Sequence, residues 1–419
     1  MNSKGILTKL LNKNKNLIKN FSFLTILQFS QLLISLLLFP YLIKVLGQKC
    51  YGVVAYCQVI IGFLLIILNY GFNITVTKKI SLYRDDILKL NKIIWTTYVV
   101  KGLILIVLSF IYFPLVLSIP FLYEYKTIYV YGYFSLIGWL LYPQWYFQGI
   151  QKMENITYVI LTAKLLSLFC IIIFVKKDID FVLVPIINSS SMIIAGLLGF
   201  FLLYKDFKSL KFDTNLFEIK KEFKEGSSIF FSNISSNAKE YISSFIIGSY
   251  LNYSIFAVYD ISIRMIRLLI TPSTILIKTV FPEFSYQKSK KMFIKTEMLS
   301  LGYSIIIVII LIILPDSLIK YLIDENLVLF KRVFSILIII LPLLSLCSSR
   351  GTLKLISFNR ENDFSKGILI SIIIYFTLLF ILYHTYGFNV IGISIIVVVS
   401  LFSELLSHLY FGNKIKFLK

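Results

Sequence analysis

Continuous apolar runs of about 20 residues recur along this chain, and they leave few folds open to it. Of its 419 residues 58% are hydrophobic and 15% are charged, and the mean hydropathy is +0.85, a balance typical of a chain that resides in a membrane. The runs do not alternate between apolar and polar residues as the strands of a membrane barrel do. In lipid, a lone segment satisfies its backbone hydrogen bonds only as a helix. The sequence therefore predicts an all-α polytopic membrane protein.

The apolar runs predict about twelve transmembrane helices, each long enough to cross a hydrocarbon core of about 30 Å. The predicted spans lie at about 21–43, 52–75, 91–113, 127–148, 155–175, 181–204, 228–250, 254–282, 297–314, 332–350, 366–386 and 389–411. The first run follows a lysine-rich start, as a signal peptide does. It is too long for a signal peptide and no small-residue cleavage site ends it, so we predict a retained first span.

Lysine and arginine are unevenly divided among the loops that these spans create. The formal net charge is +21, and roughly 28 of the 42 cations fall at the termini and in alternate loops, against about 8 in the other loops. Because positively charged loops stay inside, both termini are predicted to be cytoplasmic. The cations form short clusters between spans, which suits lipid headgroups better than nucleic acid, so membrane lipids are expected partners and nucleic acid is not.

The longest break in apolar character, Lys205–Gly226, divides the predicted spans into six and six. Its composition is that of a basic, amphipathic connector on the cytoplasmic side. We therefore predict an amino-terminal six-helix lobe at residues 1–208, a connector at 209–226 and a carboxy-terminal six-helix lobe at 227–419. A weak internal repeat at an offset of 205 residues supports two related lobes. Transporters built from such repeats bind their cargo between the halves.

Four charged residues interrupt the predicted span at 254–282: Asp260, Arg264, Arg267 and Lys278. From Asp260 their spacings are 4, 7 and 18 residues, which places them on one helical face over about 27 Å. A cation at bilayer depth costs several kcal/mol unless it meets water, protein or a counter-ion. We therefore expect this face to line an aqueous interior that accepts an anionic group.

Further charges lie within other spans. Lys101 and Lys164, each about ten residues into a span, are expected to add basic groups from the amino-terminal lobe. The alternative is that the cations are neutralised internally: Asp260 can pair with its neighbour one turn on, and Glu240 or Glu404 can neutralise another cation.

Two short stretches resemble a known family. The first is Leu46-Gly47 with Tyr51-Gly52, followed by NYGF at 69–72, and the second is PQWYFQGIQKM at 143–153. Both are similar to the polysaccharide transporter family that contains Wzx-type O-antigen flippases, within the superfamily shared with MATE exporters and MurJ-type lipid flippases. Two positions depart from the family pattern: Gln151 stands where an acid is common, and Ala257 stands where the second half often repeats the glycine.

The resemblance implies a flippase that moves an undecaprenyl-pyrophosphate-linked oligosaccharide from the cytoplasmic to the outer leaflet of a bacterial inner membrane. Guanidinium groups match phosphate oxygens in two-pronged fashion, so Arg264 and Arg267 are expected to hold the pyrophosphate. Lys278 is expected to meet the headgroup on entry, with Lys101 and Lys164 completing a basic wall. The resemblance leaves open whether an O-antigen polymerase or a chain-length regulator binds the protein.

The energy source is predicted to be an ion gradient, and no cofactor is expected. The sequence has no GxxxxGK[ST] phosphate loop, so this chain is not expected to hydrolyse ATP. Asp260, Glu240 and the pair Glu404 and His408, one turn apart in the last span, are candidate sites for a coupling proton or sodium ion. No CxxC pair or ligand cluster marks a metal site.

Three alternatives have different cargo or chemistry. A polysaccharide polymerase or a polyprenyl-dependent glycosyltransferase usually needs a sizeable outer loop. The longest predicted outer loop here is about 315–332, and no loop carries paired carboxylates or a nucleophile motif. We therefore expect this chain not to be an enzyme. A MATE-like exporter typically carries cations, which an arginine-lined interior repels. A MurJ-like lipid II flippase shares the pyrophosphate requirement and differs in its sugar.

Overall fold

The computed structural model describes residues 3–207, 212–313 and 326–415, and the regular elements within these ranges are helices. The α-helices, in chain order, are α1 (Ser3–Asn69), α2 (Phe72–Tyr83), α3 (Ile87–Ser118), α4 (Pro120–Tyr123), α5 (Lys126–Tyr133), α6 (Ser135–Leu141), α7 (Gln144–Gly149), α8 (Met153–Phe174), α9 (Leu183–Asp206), α10 (Leu216–Ile246), α11 (Tyr253–Gln287), α12 (Lys290–Ile313), α13 (Leu327–Leu337), α14 (Ile340–Ser348), α15 (Glu361–Thr385) and α16 (Val390–Asn413). Short 3₁₀ segments at Asp178–Val182 and Ile356–Phe358, and π-helical turns at Ile247–Leu251 and Ser349–Leu355, join some of them.

The chain is an all-α polytopic membrane protein. In the described ranges, eight helical stretches are long and apolar enough to cross a membrane: Thr25–Tyr83, Ile87–Ser118, Met153–Phe174, Asp178–Asp206, Lys290–Ile313, Leu327–Phe358, Glu361–Thr385 and Val390–Asn413. Large apolar side chains on them are exposed in the isolated chain, such as Phe110 on α3 at 77%, and exposure of this kind suits a helix surrounded by lipid.

The number twelve stays a prediction, and the structure shows why the two counts differ. The first stretch, Thr25–Tyr83, contains two predicted spans. The predicted span at 127–148 is broken into α5, α6 and α7, and those at 228–250 and 254–282 fall in α10 and α11, which carry charges within their apolar sequence.

The chain forms two compact units. Unit 1 comprises Met1–Gly47 and Cys57–Ile234, and unit 2 comprises Gln48–Tyr56 and Ser235–Lys419. The predicted lobes and connector are a different division and stay a prediction. Residue 208 and residues 209–211 of that division lie outside the described residues, as do residues 314–325, which include most of the predicted outer loop at 315–332.

Glycines in the left-handed region of the backbone map end two helical stretches of the amino-terminal third. Gly47 has φ 70° and ψ 167°, which breaks the helical backbone of α1 between the predicted first and second spans. Gly71, with φ 84°, stands at the start of α2, and a Cβ there would meet the side chain of Ile229. Only glycine adopts these conformations without strain, so both positions fix where the chain turns.

The second family-like stretch is part of the core of unit 1. Trp145 and Phe147 are buried, and the carbonyl oxygen of Trp145 accepts a hydrogen bond from Thr77 of α2 at 3.2 Å. A Cβ on Gly149 would overlap Ile80 on the same helix. The short helix α7 therefore packs closely against α2, and the motif residues have a packing role here.

In unit 2, α11 packs against several other helices. It packs on α12, α13 and α14, while α15 and α16 pack along each other. Three buried serines, Ser273, Ser300 and Ser345, join α11, α12 and α14 through their hydroxyl groups. Because each hydroxyl finds a partner, these helices approach closely without leaving a buried polar group unsatisfied.

Candidate functional site

The candidate site lies in unit 2 and begins with an ion pair on α11. The Asp260 carboxylate accepts a hydrogen bond from the Arg264 Nε at 2.5 Å, one helical turn away. The same carboxylate accepts from the hydroxyl of Tyr51 at 2.9 Å. Asp260 is buried, while 37% of the Arg264 side chain is exposed. The internal pair that the sequence allowed is therefore present, and the Arg264 side chain remains partly exposed.

Tyr51 lies close to Asp260 because its segment of α1, Gln48–Tyr56, is part of unit 2. In this segment, Gln48 donates to the carbonyl oxygen of Ser254 at 2.8 Å. A Cβ on Gly52 would overlap the carbonyl oxygen of Tyr253, so glycine at this position permits the close approach to the start of α11. The first family-like stretch thus supplies the glycine that lets α1 approach α11 closely and the hydroxyl that orients the Asp260 carboxylate.

A second arginine on α11 is paired with a neighbouring helix. Arg267 forms a salt bridge with Glu240 of α10. The exposed fractions of the two side chains are 57% and 40%, so the pair is more accessible than the buried Asp260 carboxylate. Arg264 and Arg267 lie three residues apart and therefore face the same side of α11. Two guanidinium groups, each held by a carboxylate and each partly exposed, form a place where a phosphate-bearing group can bind.

The carboxy-terminal half of α11 carries Lys278, which is exposed. The helix continues through Pro272, and the hydroxyl of Tyr303 on α12 donates to the carbonyl oxygen of Leu269 at 2.9 Å, close to where the proline removes a backbone donor. Lys278 lies more than ten residues beyond the arginines and forms no salt bridge within the described residues. The structure therefore does not bring Lys278 together with the arginine pairs.

A second, mostly buried ion pair involves α10, next to the residue that pairs with Arg267. Lys239 precedes Glu240 in sequence, and its ammonium group donates to Glu404 of α16 at 2.8 Å and to the hydroxyl of Ser371 on α15 at 2.9 Å. That hydroxyl also donates to the Glu404 carboxylate at 3.1 Å. The side chains of Lys239 and Glu404 are only 11% and 14% exposed. Consecutive residues of α10 thus serve two different charge pairs.

His408, one turn after Glu404, is fully buried and stacks on Phe364, with ring centroids 5.2 Å apart. Its Nε2 lies 3.4 Å from the Phe364 carbonyl oxygen, and its Nδ1 has no hydrogen-bond partner among the residues that the structure describes. The Sγ of Cys347, a Glu404 carboxylate oxygen and a His408 ring nitrogen lie within 4.8 Å of one another. Sulfur, oxygen and nitrogen ligands of this kind suit a transition metal, although the Lys239 ammonium already occupies one oxygen of Glu404.

The two lysines predicted for the amino-terminal half have different surroundings in unit 1. Lys101 on α3 is 1% exposed, and its ammonium group donates to the carbonyl oxygen of Trp139 on α6 at 2.9 Å. Lys164 on α8 is exposed. Their expected contact with the cargo stays a prediction.

Sequence reasoning missed Tyr51, Lys239 and Ser371 as partners of the charged residues. Lys239 had a detectable signal, because it is a cation inside a predicted span, next to Glu240. Tyr51 belongs to the first family-like stretch, but its partner lies 209 residues away and nothing in the sequence pointed to it. Ser371 carried no signal, since serine is common in this chain and Glu404 lies 33 residues away.

Comparisons with known proteins agree with this architecture. The sequence profile of the family described as "Polysaccharide biosynthesis protein" matches residues 17–288. Two curated relatives share the name "Putative O-antigen transporter". The one from Escherichia coli (strain K12) is 29% identical over 53% of this chain and 54% of its own length, so the match spans about half of that relative. The one from Shigella dysenteriae is 24% identical over 95% of this chain and 100% of its own length.

Solved structures show the same fold. The lipid II flippase MurJ superposes with a TM-score of 0.73 and 15% identity, over 94% of this chain and 88% of its own. A multidrug resistance MATE family transporter of the MOP superfamily gives a TM-score of 0.70 and 12% identity, over 91% and 94%. At such identities the likeness establishes the fold alone, whereas the profile match covers well over half of the chain. This chain belongs to the polysaccharide biosynthesis protein family.

Proposed function

We propose that this protein is a flippase for undecaprenyl-pyrophosphate-linked oligosaccharide repeat units, such as those of O-antigen. It moves them by alternating access from the cytoplasmic to the periplasmic leaflet of a bacterial inner membrane, with both of its termini in the cytoplasm. Membership of the family and the likeness to two proteins named as O-antigen transporters support the cargo class. The chain acts as a transporter and not as an enzyme in this proposal.

The observation that carries the proposal is the pair of partly exposed guanidinium groups on α11. A pyrophosphate carries at least two negative charges, and its passage through a membrane requires cationic hydrogen-bond donors in place of water. Arg264 and Arg267 offer such donors on one side of a helix within a membrane protein, and 37% and 57% of their side chains are exposed. Lysines have similar charge but lack the planar fork that matches two phosphate oxygens.

The carboxylates beside the arginines have a role in this mechanism. Asp260 and Glu240 keep the guanidinium groups charged and positioned while no cargo is bound. An arriving pyrophosphate exchanges with Glu240 at Arg267, because that pair is exposed and its loss costs little. Asp260, held by Tyr51, stays in place and anchors Arg264. Lys278, Lys101 and Lys164 remain proposed contacts for the headgroup at other stages of its passage.

We also propose that an ion gradient drives the cycle. The Glu404 carboxylate is mostly buried with Lys239, and one ring nitrogen of His408 beside it has no hydrogen-bond partner in the described part of the chain. Groups of this kind bind or release a proton when their surroundings change, and a carboxylate also suits sodium. Asp260 is a further candidate; Glu240, the other candidate from the sequence, acts in this proposal only as the partner of Arg267. Transport in vesicles after the proton and then the sodium gradient is collapsed tests this: flipping that persists in both conditions rules the coupling out.

The main experiment replaces Arg264 or Arg267 with alanine in a strain whose own gene is deleted. We expect each variant to lose surface polysaccharide, by at least tenfold on immunoblots, because its neutral side chain leaves the pyrophosphate without a donor. The protein is expected to remain in the membrane fraction. Arg84→Ala is the matched control, since its side chain is 57% exposed on the loop before α3 and its salt-bridge partner among the described residues is Asp85, at 3.7 Å.

A second variant separates cargo binding from a purely structural ion pair. Glu240→Gln removes the same salt bridge as Arg267→Ala but leaves the guanidinium group available. If Arg267 binds the cargo, Glu240→Gln retains surface polysaccharide while Arg267→Ala loses it. Equal phenotypes for the two variants, or full complementation by either arginine variant, contradict the proposal. Failure to rescue a strain depleted of its lipid II flippase distinguishes this cargo from lipid II.

A further inference from the structure

The segment Phe212–Gly226, which we call the connector segment, is fastened to the rest of unit 1 by its acidic residues. Glu222 and Glu225 of α10 both reach the ammonium group of Lys79 on α2, at 2.5 and 2.7 Å. Glu218, one turn earlier than Glu222, pairs with Lys92 of α3 at 3.1 Å. The three glutamates therefore occupy one side of the helix and form ion pairs within unit 1.

The connector segment also runs along the first turns of α3. The hydroxyl groups of Thr214 and Thr96 lie 2.9 Å apart, and the rings of Phe212 and Trp95 have centroids 5.3 Å apart. The predicted span that contains these α3 residues begins at about residue 91. That predicted boundary puts the connector segment near the level of the lipid headgroups.

The opposite side of the connector segment, which we call its outer face, is basic and apolar. It comprises Leu216, Phe217, Lys220, Lys221 and Lys224, all exposed, with Leu216 at 75% and Phe217 at 72%. At 100° per residue these five positions occupy an arc of about 140°, which contains no acidic residue. Within the described residues none of the three lysines forms a salt bridge.

We propose that the outer face binds anionic phospholipid headgroups of the membrane. Helices that lie in the interface combine lysines on one side with large apolar side chains that enter the acyl boundary, and each lysine gains from the negative surface of the leaflet. An acidic protein surface would pair with the lysines but would offer no apolar environment for Leu216 and Phe217. Anionic lipid offers both a negative headgroup and an apolar acyl region. The three glutamates, which would repel anionic lipid, face away from the outer face and form ion pairs with Lys79 and Lys92.

This binding concerns the bulk lipid and is independent of the proposed cargo. Its consequence is a fixed depth for the start of α10, the helix that carries the Lys239 and Glu240 pairs of the candidate site. The lipid composition of the membrane would therefore act on the helix whose Glu240 pairs with Arg267 of α11.

The test measures lipid binding by the purified full-length chain in detergent micelles, using native mass spectrometry with dioleoyl phosphatidylglycerol or dioleoyl phosphatidylcholine as the added lipid. We expect tighter binding of the phosphatidylglycerol, weakened as salt rises from about 0.05 to 0.5 M. The triple variant Lys220→Gln, Lys221→Gln, Lys224→Gln is expected to lower that affinity at least about tenfold. The double variant Leu216→Ser, Phe217→Ser is expected to weaken the binding of both lipids.

The control variant replaces Lys126, Lys176 and Lys177 with glutamine. These lysines are exposed, and their loss changes the net charge of the protein by the same amount. Melting temperatures equal to that of the unaltered protein show that each variant is folded. Equal phosphatidylglycerol affinity in the two triple variants, or no preference for phosphatidylglycerol in the unaltered protein, overturns the proposal. Because surface polysaccharide is not the readout, neither result bears on the transport function.

Discussion

The Lys239–Glu404 ion pair gives a quantitative test of the structure. Its two charged atoms are 2.8 Å apart and the side chains are 11% and 14% exposed, so water screens them little. At an effective dielectric constant of about 20, charges at this distance attract by roughly 6 kcal/mol. Desolvation offsets much of that attraction, but removing one partner of a buried pair typically costs about 3–5 kcal/mol, because the other charge stays buried and unpaired.

We therefore expect Lys239→Met to lower the free energy of unfolding by about 3–5 kcal/mol. Methionine keeps an unbranched apolar stem like that of lysine and removes the ammonium group with its charge and hydrogen bonds. The double variant Lys239→Met, Glu404→Gln leaves no unpaired charge and is expected to regain at least about 2 kcal/mol of the summed single losses. Ser371 retains an acceptor in the glutamine oxygen, so its hydroxyl remains satisfied.

The assay is unfolding of the purified protein in mixed micelles by titration with a denaturing detergent, followed by circular dichroism. Glu240→Gln is the matched control, because it breaks the adjacent pair with Arg267, whose side chains are 40% and 57% exposed. Its expected cost is about 1 kcal/mol or less. The reasoning fails if Lys239→Met costs no more than Glu240→Gln, or if the double variant is as unstable as the sum of the two single variants.

Two more predictions concern backbone geometry and a helix terminus. Gly52→Ala is expected to lower the melting temperature strongly, because the new Cβ overlaps the carbonyl oxygen of Tyr253. Gly102→Ala is the control, since nothing lies within 4 Å of a Cβ there, and it is expected to leave the melting temperature unchanged or raise it slightly. Equal melting temperatures for the two variants contradict the close approach. Asp86 caps α3 by accepting from the backbone N–H of Lys89, and this bond holds the pKa of the Asp86 carboxyl below its usual value. A lowered pKa in the folded state gives stability that is present at neutral pH and is lost as the pH falls through that pKa. Asp86→Ala is therefore expected to lower the melting temperature more at pH 7 than once the carboxyl is protonated. Asp86→Asn, which keeps a neutral acceptor, is expected to lower it less than Asp86→Ala at pH 7. A melting-temperature difference between the unaltered protein and Asp86→Ala that does not change with pH contradicts the capping role.

The helical class, membrane residence and family of this protein follow from its sequence. Apolar runs of spanning length allow only helices, and this holds whatever the helices pack against. The face shared by Asp260, Arg264 and Arg267 also follows, because the helical period alone places residues four and seven apart together. The pairing of Asp260 with Arg264 was accessible for the same reason, since both partners lie on one turn.

Only the tertiary structure decided which partner each remaining charge has. Lys239 and Glu240 are neighbours in sequence, yet their side chains diverge by about 100° around α10 and reach different helices, Glu404 on one side and Arg267 on the other. The bond from Tyr51 to Asp260 joins residues 209 positions apart. Helical periodicity defines the face that a residue occupies but not the helix that comes to lie against it, because that choice depends on the packing of the entire unit.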